Sequence, residues 1–64
     1  MLLGIDVGGT HTDAVLIGKD GIESTFKAKT DTRNLLHTVT TALKEVTSGV
    51  DVKKITNINL STTL

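Results

Sequence analysis

Two short apolar runs flank a turn of small residues near the start of the chain, and this arrangement most restricts how the chain can fold. The first run covers residues 2–7 and the second covers residues 12–17, with Gly8, Gly9 and Thr10 between them. Short apolar runs that are partly β-branched predict strands, and a connection of this length joins strands as an antiparallel hairpin. We therefore predict that a β-hairpin over residues 4–18 is the centre of the fold.

A carboxylate, Asp6, lies one residue before the end of the first predicted strand. A charge among apolar neighbours is costly unless a cation or hydrogen-bond donors offset it. Gly8 and Gly9 have no side chains to block access to their backbone N–H groups, and concave arrays of such groups bind anions. This pattern is typical of a metal-and-phosphate site. Spacing alone equally fits an aspartate at a strand end that is satisfied by the amides of an ordinary turn.

Other nucleotide-binding and nucleophilic motifs are absent from the sequence. Gly18-Lys19 is followed by Asp20, so it does not complete a Walker A loop, which needs Gly-Lys-Ser/Thr. A strand pattern follows Gly8 and Gly9, whereas a dinucleotide-binding fingerprint leads into a helix. The chain contains no cysteine and no Ser–His–Asp arrangement that would indicate a nucleophile.

The rest of the chain predicts a third strand, a helix and a fourth strand. Residues 22–29 alternate as a strand does, and residues 55–60 form a second alternating segment with Ile58 and Leu60 on one side. The predicted order is β-β-β-α-β. The first three strands form a meander and the fourth lies beside the first, which makes the fold class α/β with a mixed sheet in the order 3-2-1-4. One face of the third strand is predicted to hold Ile22, Ser24, Phe26 and Ala28.

The helix is predicted to begin after a cap at Thr30, Asp31 or Thr32 and to end near Ser48. His37 falls on its polar face and is predicted to be a solvated surface residue. Residues 51–54 predict a single helical turn. The apolar positions recur at helical spacing: Leu35, Leu36, Val39, Ala42, Leu43 and Val46.

Composition narrows the class of protein. Lys and Arg number seven, as do Asp and Glu, so no basic patch indicates a nucleic-acid partner. No apolar run approaches the ~20 residues that span a membrane, and residues 1–3 lack the positive region of a signal peptide. We therefore expect a cytoplasmic protein without a nucleic-acid or membrane partner. A chain of 64 residues forms at most one small domain.

The segment DVGGTHTDAVLI, residues 6–17, resembles the first phosphate motif of the actin-like ATPase superfamily. The Thr12-Asp13 pair after Gly-Gly-Thr is more specifically similar to the N-terminal domain of the hydantoinase A/5-oxoprolinase family. Residues 60–64 resemble the start of that family's second motif, His-Gly-Thr-Thr-Val. His11 stands where an aromatic residue is usual, and Leu60-Ser61 where His-Gly is usual. The resemblance implies that residues 1–64 are a truncated part of a ribonuclease H-like domain.

The resemblance also implies a function, namely ATP-dependent hydrolysis of a cyclic amide in a longer parent protein. Asp6 would organise Mg²⁺ and act as the catalytic carboxylate. The isolated chain would then be inactive, because it carries only one phosphate-binding turn. The implied contacts to ATP come from Gly8, Gly9 and Thr10. Thr12 is either a further phosphate or water contact or only a β-forming residue of the second strand.

From the sequence alone, several residues have more than one interpretation. His11 and Asp13 are two residues apart and therefore share a strand face, which allows joint metal ligation or a hydrogen-bonded structural pair. The resemblance also implies that Asp13 contacts substrate. Thr62 and Thr63 either lie near the active site, as the resemblance implies, or belong to a helix N-cap.

Two alternative functions remain open from the sequence. One is a fragment of a sugar-kinase-like or ketone-carboxylase ATPase, and the other is a stand-alone phosphate-binding module without catalysis. The fourth predicted strand has no further neighbour in the sequence. An exposed sheet edge of this kind invites self-association.

Overall fold

The computed structural model describes residues 1–63 and contains a four-stranded mixed sheet with one helix on one face. The strands are β1 (Leu2–Val7), β2 (His11–Gly18), β3 (Gly21–Lys29) and β4 (Asn57–Thr62), and helix α1 is Leu35–Val46. β2 pairs antiparallel with β1 and β3, while β4 pairs parallel with β1. The sheet order β3-β2-β1-β4 confirms the predicted α/β class and strand order. Leu64, the end of the second predicted motif, lies outside the described residues.

The core lies between α1 and one face of the sheet, which we call the helix side. Side chains alternate along each strand, so every second residue points to the opposite side, which we call the open face. The open face carries the even-numbered residues of β1, the odd-numbered residues of β2 and β4, and Thr25, Lys27 and Lys29 of β3. The buried apolar core on the helix side consists of Leu3, Ile5, Val7, Ala14, Leu16, Ala42 and Val46.

Helix α1 begins later than the sequence predicts, after an N-cap at Asn34 whose side-chain oxygen accepts the His37 N–H at 3.1 Å. The three predicted caps were wrong because the sheet and a turn use these residues. Thr30 extends the sheet, and its N–H donates to the Thr10 carbonyl at 2.9 Å. The Asp31 carboxylate accepts a backbone N–H two residues later in a separate turn.

The buried stripe of α1 consists of Thr38, Ala42 and Val46, which are spaced four residues apart. Leu36 was predicted to belong to the apolar face but is 75% exposed. The stripe is centred on Ala42, and at 3.6 residues per turn Leu36 lies about 120° around the helix from it, off the packed face. The Thr38 hydroxyl accepts the Asp31 N–H at 2.9 Å, so this buried polar group has a partner. No helix within residues 1–63 has the length and apolar character needed to cross a membrane.

A β-bulge interrupts the alternation of β3. Ile17 pairs with Ile22, but Leu16 pairs with Ser24, so Glu23 is the extra residue. Ile22 therefore shares the open face with Ile17 and is 68% exposed, although the sequence predicts it on the same face as Ser24. The bulge also sets the register of the remainder of β3 against β2.

Strand β4 lies at one edge of the described sheet and covers Asn57–Thr62, not the predicted residues 55–60. Ile55 instead closes a short 3-10 turn over Val52–Lys54, since its N–H donates to the Val52 carbonyl at 3.1 Å. Ile58 and Leu60 share one side of the strand, as predicted, and this is the helix side. They are 65% and 63% exposed because α1 packs on the other three strands.

Candidate functional site

The turn between β1 and β2 has Gly9 and Thr10 at its tip and is closed by the Gly8 N–H, which donates to the His11 carbonyl at 2.9 Å. Because β1 and β4 run parallel, their carboxyl ends lie at the same edge of the sheet. The Thr63 N–H donates to the Val7 carbonyl at 3.0 Å, so the chain after β4 follows the start of the turn. The first and last predicted motifs therefore meet at this edge.

The two glycines of the turn have different structural requirements. A Cβ atom on Gly8 would lie 2.8 Å from the His11 carbonyl oxygen, which is too close for any ordinary contact. A Cβ atom on Gly9 would meet nothing within 4 Å. Gly8 is thus needed for the closed turn, whereas Gly9 leaves open space at the tip.

Replacing Gly8 by alanine is expected to lower the free energy of unfolding by about 1–3 kcal/mol, the usual cost of overpacking, because the His11 carbonyl must move. Gly9→Ala is the matched control, and we expect it to change stability by less than about 0.5 kcal/mol. Urea unfolding followed by circular dichroism measures both. Equal destabilisation by the two variants would contradict this turn geometry.

Four polar side chains form a row across the open face, one from each strand, which we call the polar row: Ser61, Asp6, Asp13 and Lys27. The Ser61 hydroxyl donates to Asp6 Oδ1 at 3.0 Å, and Lys27 Nζ lies 3.6 Å from Asp13 Oδ1. Asp6 and Asp13 are directly opposite each other on antiparallel strands. Like charges in this arrangement destabilise a sheet, so a cation bound there would relieve their repulsion.

The polar row crosses an open trough of ≈ 580 Å³ on the open face. Gly4 lies in its floor, where a Cβ atom would lie only 3.3 Å from Val15 Cγ1, so the Val15 side chain covers this part of the floor. Val15, Thr25 and Asn59 also line the trough. The trough therefore combines an apolar floor with charged groups at the end nearer the β1–β2 turn, which suits a small polar ligand accompanied by a cation.

Thr12, a predicted phosphate contact, faces the helix side and is completely buried. Its hydroxyl forms a hydrogen bond of 2.8 Å with the Thr30 hydroxyl. A phosphate at the turn has no access to this group in the described structure. We therefore assign Thr12 a structural role, which is to tie β2 to the segment that leads into α1.

His11 and Asp13 share the open face, as their spacing predicts, but they do not bond to each other. His11 Nδ1 lies 3.2 Å from the Thr10 hydroxyl, while Asp13 pairs with Lys27. Residues 1–63 contain no group of three His, Cys, Asp or Glu side chains that could hold a metal ion. Any metal at this site would depend on one or two carboxylates and on water.

Three further residues with predicted roles lie next to the turn, in β4 and on the helix. The Thr63 hydroxyl lies 3.7 Å from the position of a Cβ atom on Gly8, next to the turn. Thr62 lies opposite Val7 in the register and so belongs to the helix side. His37 is exposed, as predicted for a surface residue.

Lys27 is a residue of the polar row that was not predicted from the sequence. The two-residue turn implies that Asp6 lies opposite Asp13, so this half of the row could have been read from the sequence. The bulge at Glu23 then shifts the register of β3 by one residue and places Lys27 opposite Asp13. No pattern in the local sequence predicts that shift of register.

A mixed sheet that brings a carboxylate, a glycine turn and a hydroxyl to one edge defines an α/β protein with a candidate ligand site at its hairpin. The chain belongs to the hydantoinase/oxoprolinase N-terminal region family, which matches residues 2–64. A comparison with curated proteins gave no significant match. The family match covers nearly the whole chain and confirms the resemblance that the first motif indicates.

Proposed function

We propose that this chain supplies the phosphate-binding turn and the metal-organising carboxylate of an ATP-dependent hydrolase that acts on cyclic amides. Membership of the hydantoinase/oxoprolinase family supports the class of reaction. The observation that carries the proposal is the hydrogen bond from Ser61 to Asp6, 3.0 Å long. It joins the two motifs of the chain at the sheet edge where the glycine turn lies.

The donor set around Asp6 fits Mg²⁺. Mg²⁺ usually keeps several water ligands and needs only one or two protein carboxylates together with phosphate oxygens. Asp6 is exposed, and one of its oxygens is oriented by Ser61 while the other has no partner within residues 1–63. Asp13, on the facing strand, adds a second negative charge to the same side. These residues would hold a hydrated cation without a closed metal cage.

The phosphate contacts fall to the tip of the turn. The Gly8 N–H is already bonded to the His11 carbonyl, so its predicted role as a phosphate donor shifts to shaping the turn. Gly9 and Thr10 are exposed, and their N–H groups make no backbone hydrogen bond within the described chain. The Thr10 hydroxyl, 3.2 Å from His11 Nδ1, adds a third donor at the same place when that ring nitrogen carries the proton of the pair. These groups can bind the terminal phosphates of a nucleotide while Asp6 holds the cation beside them.

ATP and the residues of the chain have separate roles in this proposal. When bound, ATP supplies the phosphoryl group that activates the carbonyl of a cyclic amide toward water. The chain's own residues orient the phosphates and offset their charge, which is the protein's main task in phosphoryl transfer. The apolar floor around Gly4 and Val15 adds a surface with few polar groups beside the charged row.

Isothermal titration of the chain with ATP, with and without MgCl₂, tests the proposal. We expect binding that requires Mg²⁺, because the two facing carboxylates repel an anion unless a cation is present. We expect no ATP hydrolysis by this chain when hydantoin or 5-oxoproline is added, since turnover also needs the base and the substrate held in line. Failure to bind, equal binding without Mg²⁺, or turnover by the chain itself would contradict the proposal.

A further inference from the structure

We propose that Lys27 binds the phosphate end of the ligand and is the cationic residue of this site. The inference rests on the proposed function and adds a residue that neither the family match nor the sequence motif assigns. Lys27 lies in β3, outside both motifs, and reaches the site only through the register of the sheet.

The charges of the trough explain why a cation is needed there. Asp6 and Asp13 contribute two negative charges, and Lys27 is the cationic side chain among the described residues that line the trough. In the free protein the row is therefore net negative and repels phosphate. A divalent cation reverses that sign, and Lys27 then lies on a face that attracts the anion.

The position of the ammonium group favours contact with a ligand. Lys27 Nζ lies 3.6 Å from Asp13 Oδ1, so the ammonium group lies beside the carboxylate that faces Asp6 on the next strand. The distance is longer than a hydrogen bond between N–H and O, so the three donors of the ammonium group stay available. The side chains of Lys27 and Asp13 are 66% and 55% exposed, and ion pairs with such exposure are weak. Moving Lys27 from Asp13 to a phosphate would therefore cost little free energy, because only a weak ion pair is lost.

Other lysines of the sheet have different positions. Lys29 lies opposite His11 and is not among the residues that line the trough. Lys19 lies in the turn between β2 and β3, at the far end of the sheet. Lys19 thus offers a matched control for the loss of one positive charge.

Titration with Mg²⁺·ATP, and with Mg²⁺ alone, separates the role of Lys27 from that of the metal carboxylate. We expect Lys27→Met to weaken Mg²⁺·ATP binding about tenfold, the effect of losing one charge-assisted hydrogen bond, without weakening binding of Mg²⁺ alone. Lys27→Arg should keep the affinity within about threefold, because it keeps the charge. Lys19→Met should bind as the wild type does.

The outcomes distinguish the two proposals. Circular dichroism must show that each variant is folded, as expected for exposed positions. If the wild type binds Mg²⁺·ATP and Lys27→Met binds it equally well, the assignment of Lys27 is wrong while the proposed function stands. If Lys27→Met and Lys19→Met weaken binding equally, the effect is general electrostatics and the assignment is also wrong. If the wild type does not bind, the proposed function fails, and the assignment of Lys27 fails with it.

Discussion

Replacing Ala42 by aspartate is expected to leave the chain without a cooperatively folded state. Ala42 is completely buried at the centre of the helical stripe that packs on the sheet. Burying an unpaired carboxylate there costs several kcal/mol, and the extra atoms overpack a filled site. Ordinary domains have only about 5–15 kcal/mol of stability, and a chain of 64 residues buries a low fraction of its surface. A thermal melt followed by circular dichroism should show no transition.

Thr40→Asp is the matched control for this substitution. Thr40 lies on the same helix but is exposed, so the introduced carboxylate stays in water. We expect it to change the free energy of unfolding by no more than about 0.5 kcal/mol, as ordinary surface substitutions do. Similar losses of stability in both variants would mean that α1 does not pack on the sheet through Ala42.

Replacing Asp6 by asparagine is expected to weaken Mg²⁺-dependent ATP binding by about 100-fold while the fold is kept. Asparagine preserves the shape and an oxygen that can accept the Ser61 hydroxyl, but it removes the charge that holds the cation. Mutating even the outer partners of a metal site typically costs about 10–100-fold in affinity, so loss of the carboxylate itself lies at or beyond the upper end. Titration of the variant with Mg²⁺·ATP measures the loss.

Asp20→Asn makes the same chemical change in the turn between β2 and β3, far from the site. It should bind Mg²⁺·ATP as the wild type does, because Asp20 is exposed and makes no contact with the polar row. If Asp6→Asn bound Mg²⁺·ATP with the wild-type affinity, Asp6 would not be part of the metal site. Equal losses in both variants would show that the effect depends on net charge and not on the position of Asp6.

The parts of the fold that the sequence predicts are those that depend on local patterns. Two short apolar runs with a small turn between them predicted the hairpin, and the helical spacing of Ala42 and Val46 predicted the packed side of α1. Each of these signals is spread over several nearby residues, so an error at one position does not change the result. The order of the strands followed from how long each connection is.

The parts that the sequence does not predict depend on competition between distant groups. Thr30 is a good helix cap by residue type, but its hydroxyl bonds to Thr12 eighteen positions earlier, so Asn34 takes the cap instead. Thr38 is β-branched, which lowers its helix propensity. It nevertheless lies buried on the packed face of α1, where its hydroxyl accepts the Asp31 N–H. Such pairings are decided by tertiary structure, which local propensity does not record.

The candidate site also combines residues that local patterns predict with residues that depend on tertiary structure. Asp6 and the glycine turn were identified from adjacent residues, whereas the approach of Ser61 needs a parallel pairing across the whole chain. Lys27 needs in addition the bulge that moves β3 by one residue. A site assembled from four strands is therefore only partly visible in any one stretch of sequence.

The parallel pairing of β1 with β4 also sets when the site can become complete during folding. Ser61 is 55 residues from Asp6 along the chain, and closing so long a segment costs more conformational entropy than closing either hairpin. Contacts that are local in sequence tend to form early, so the meander of β1, β2 and β3 can pair before β4 docks. In that state Asp6 and Asp13 already face each other, but the hydroxyl that orients Asp6 is missing. Under the proposed function, the chain would bind its ligand only after β4 has docked, and a ligand that needs Ser61 would in turn stabilise that strand on the sheet.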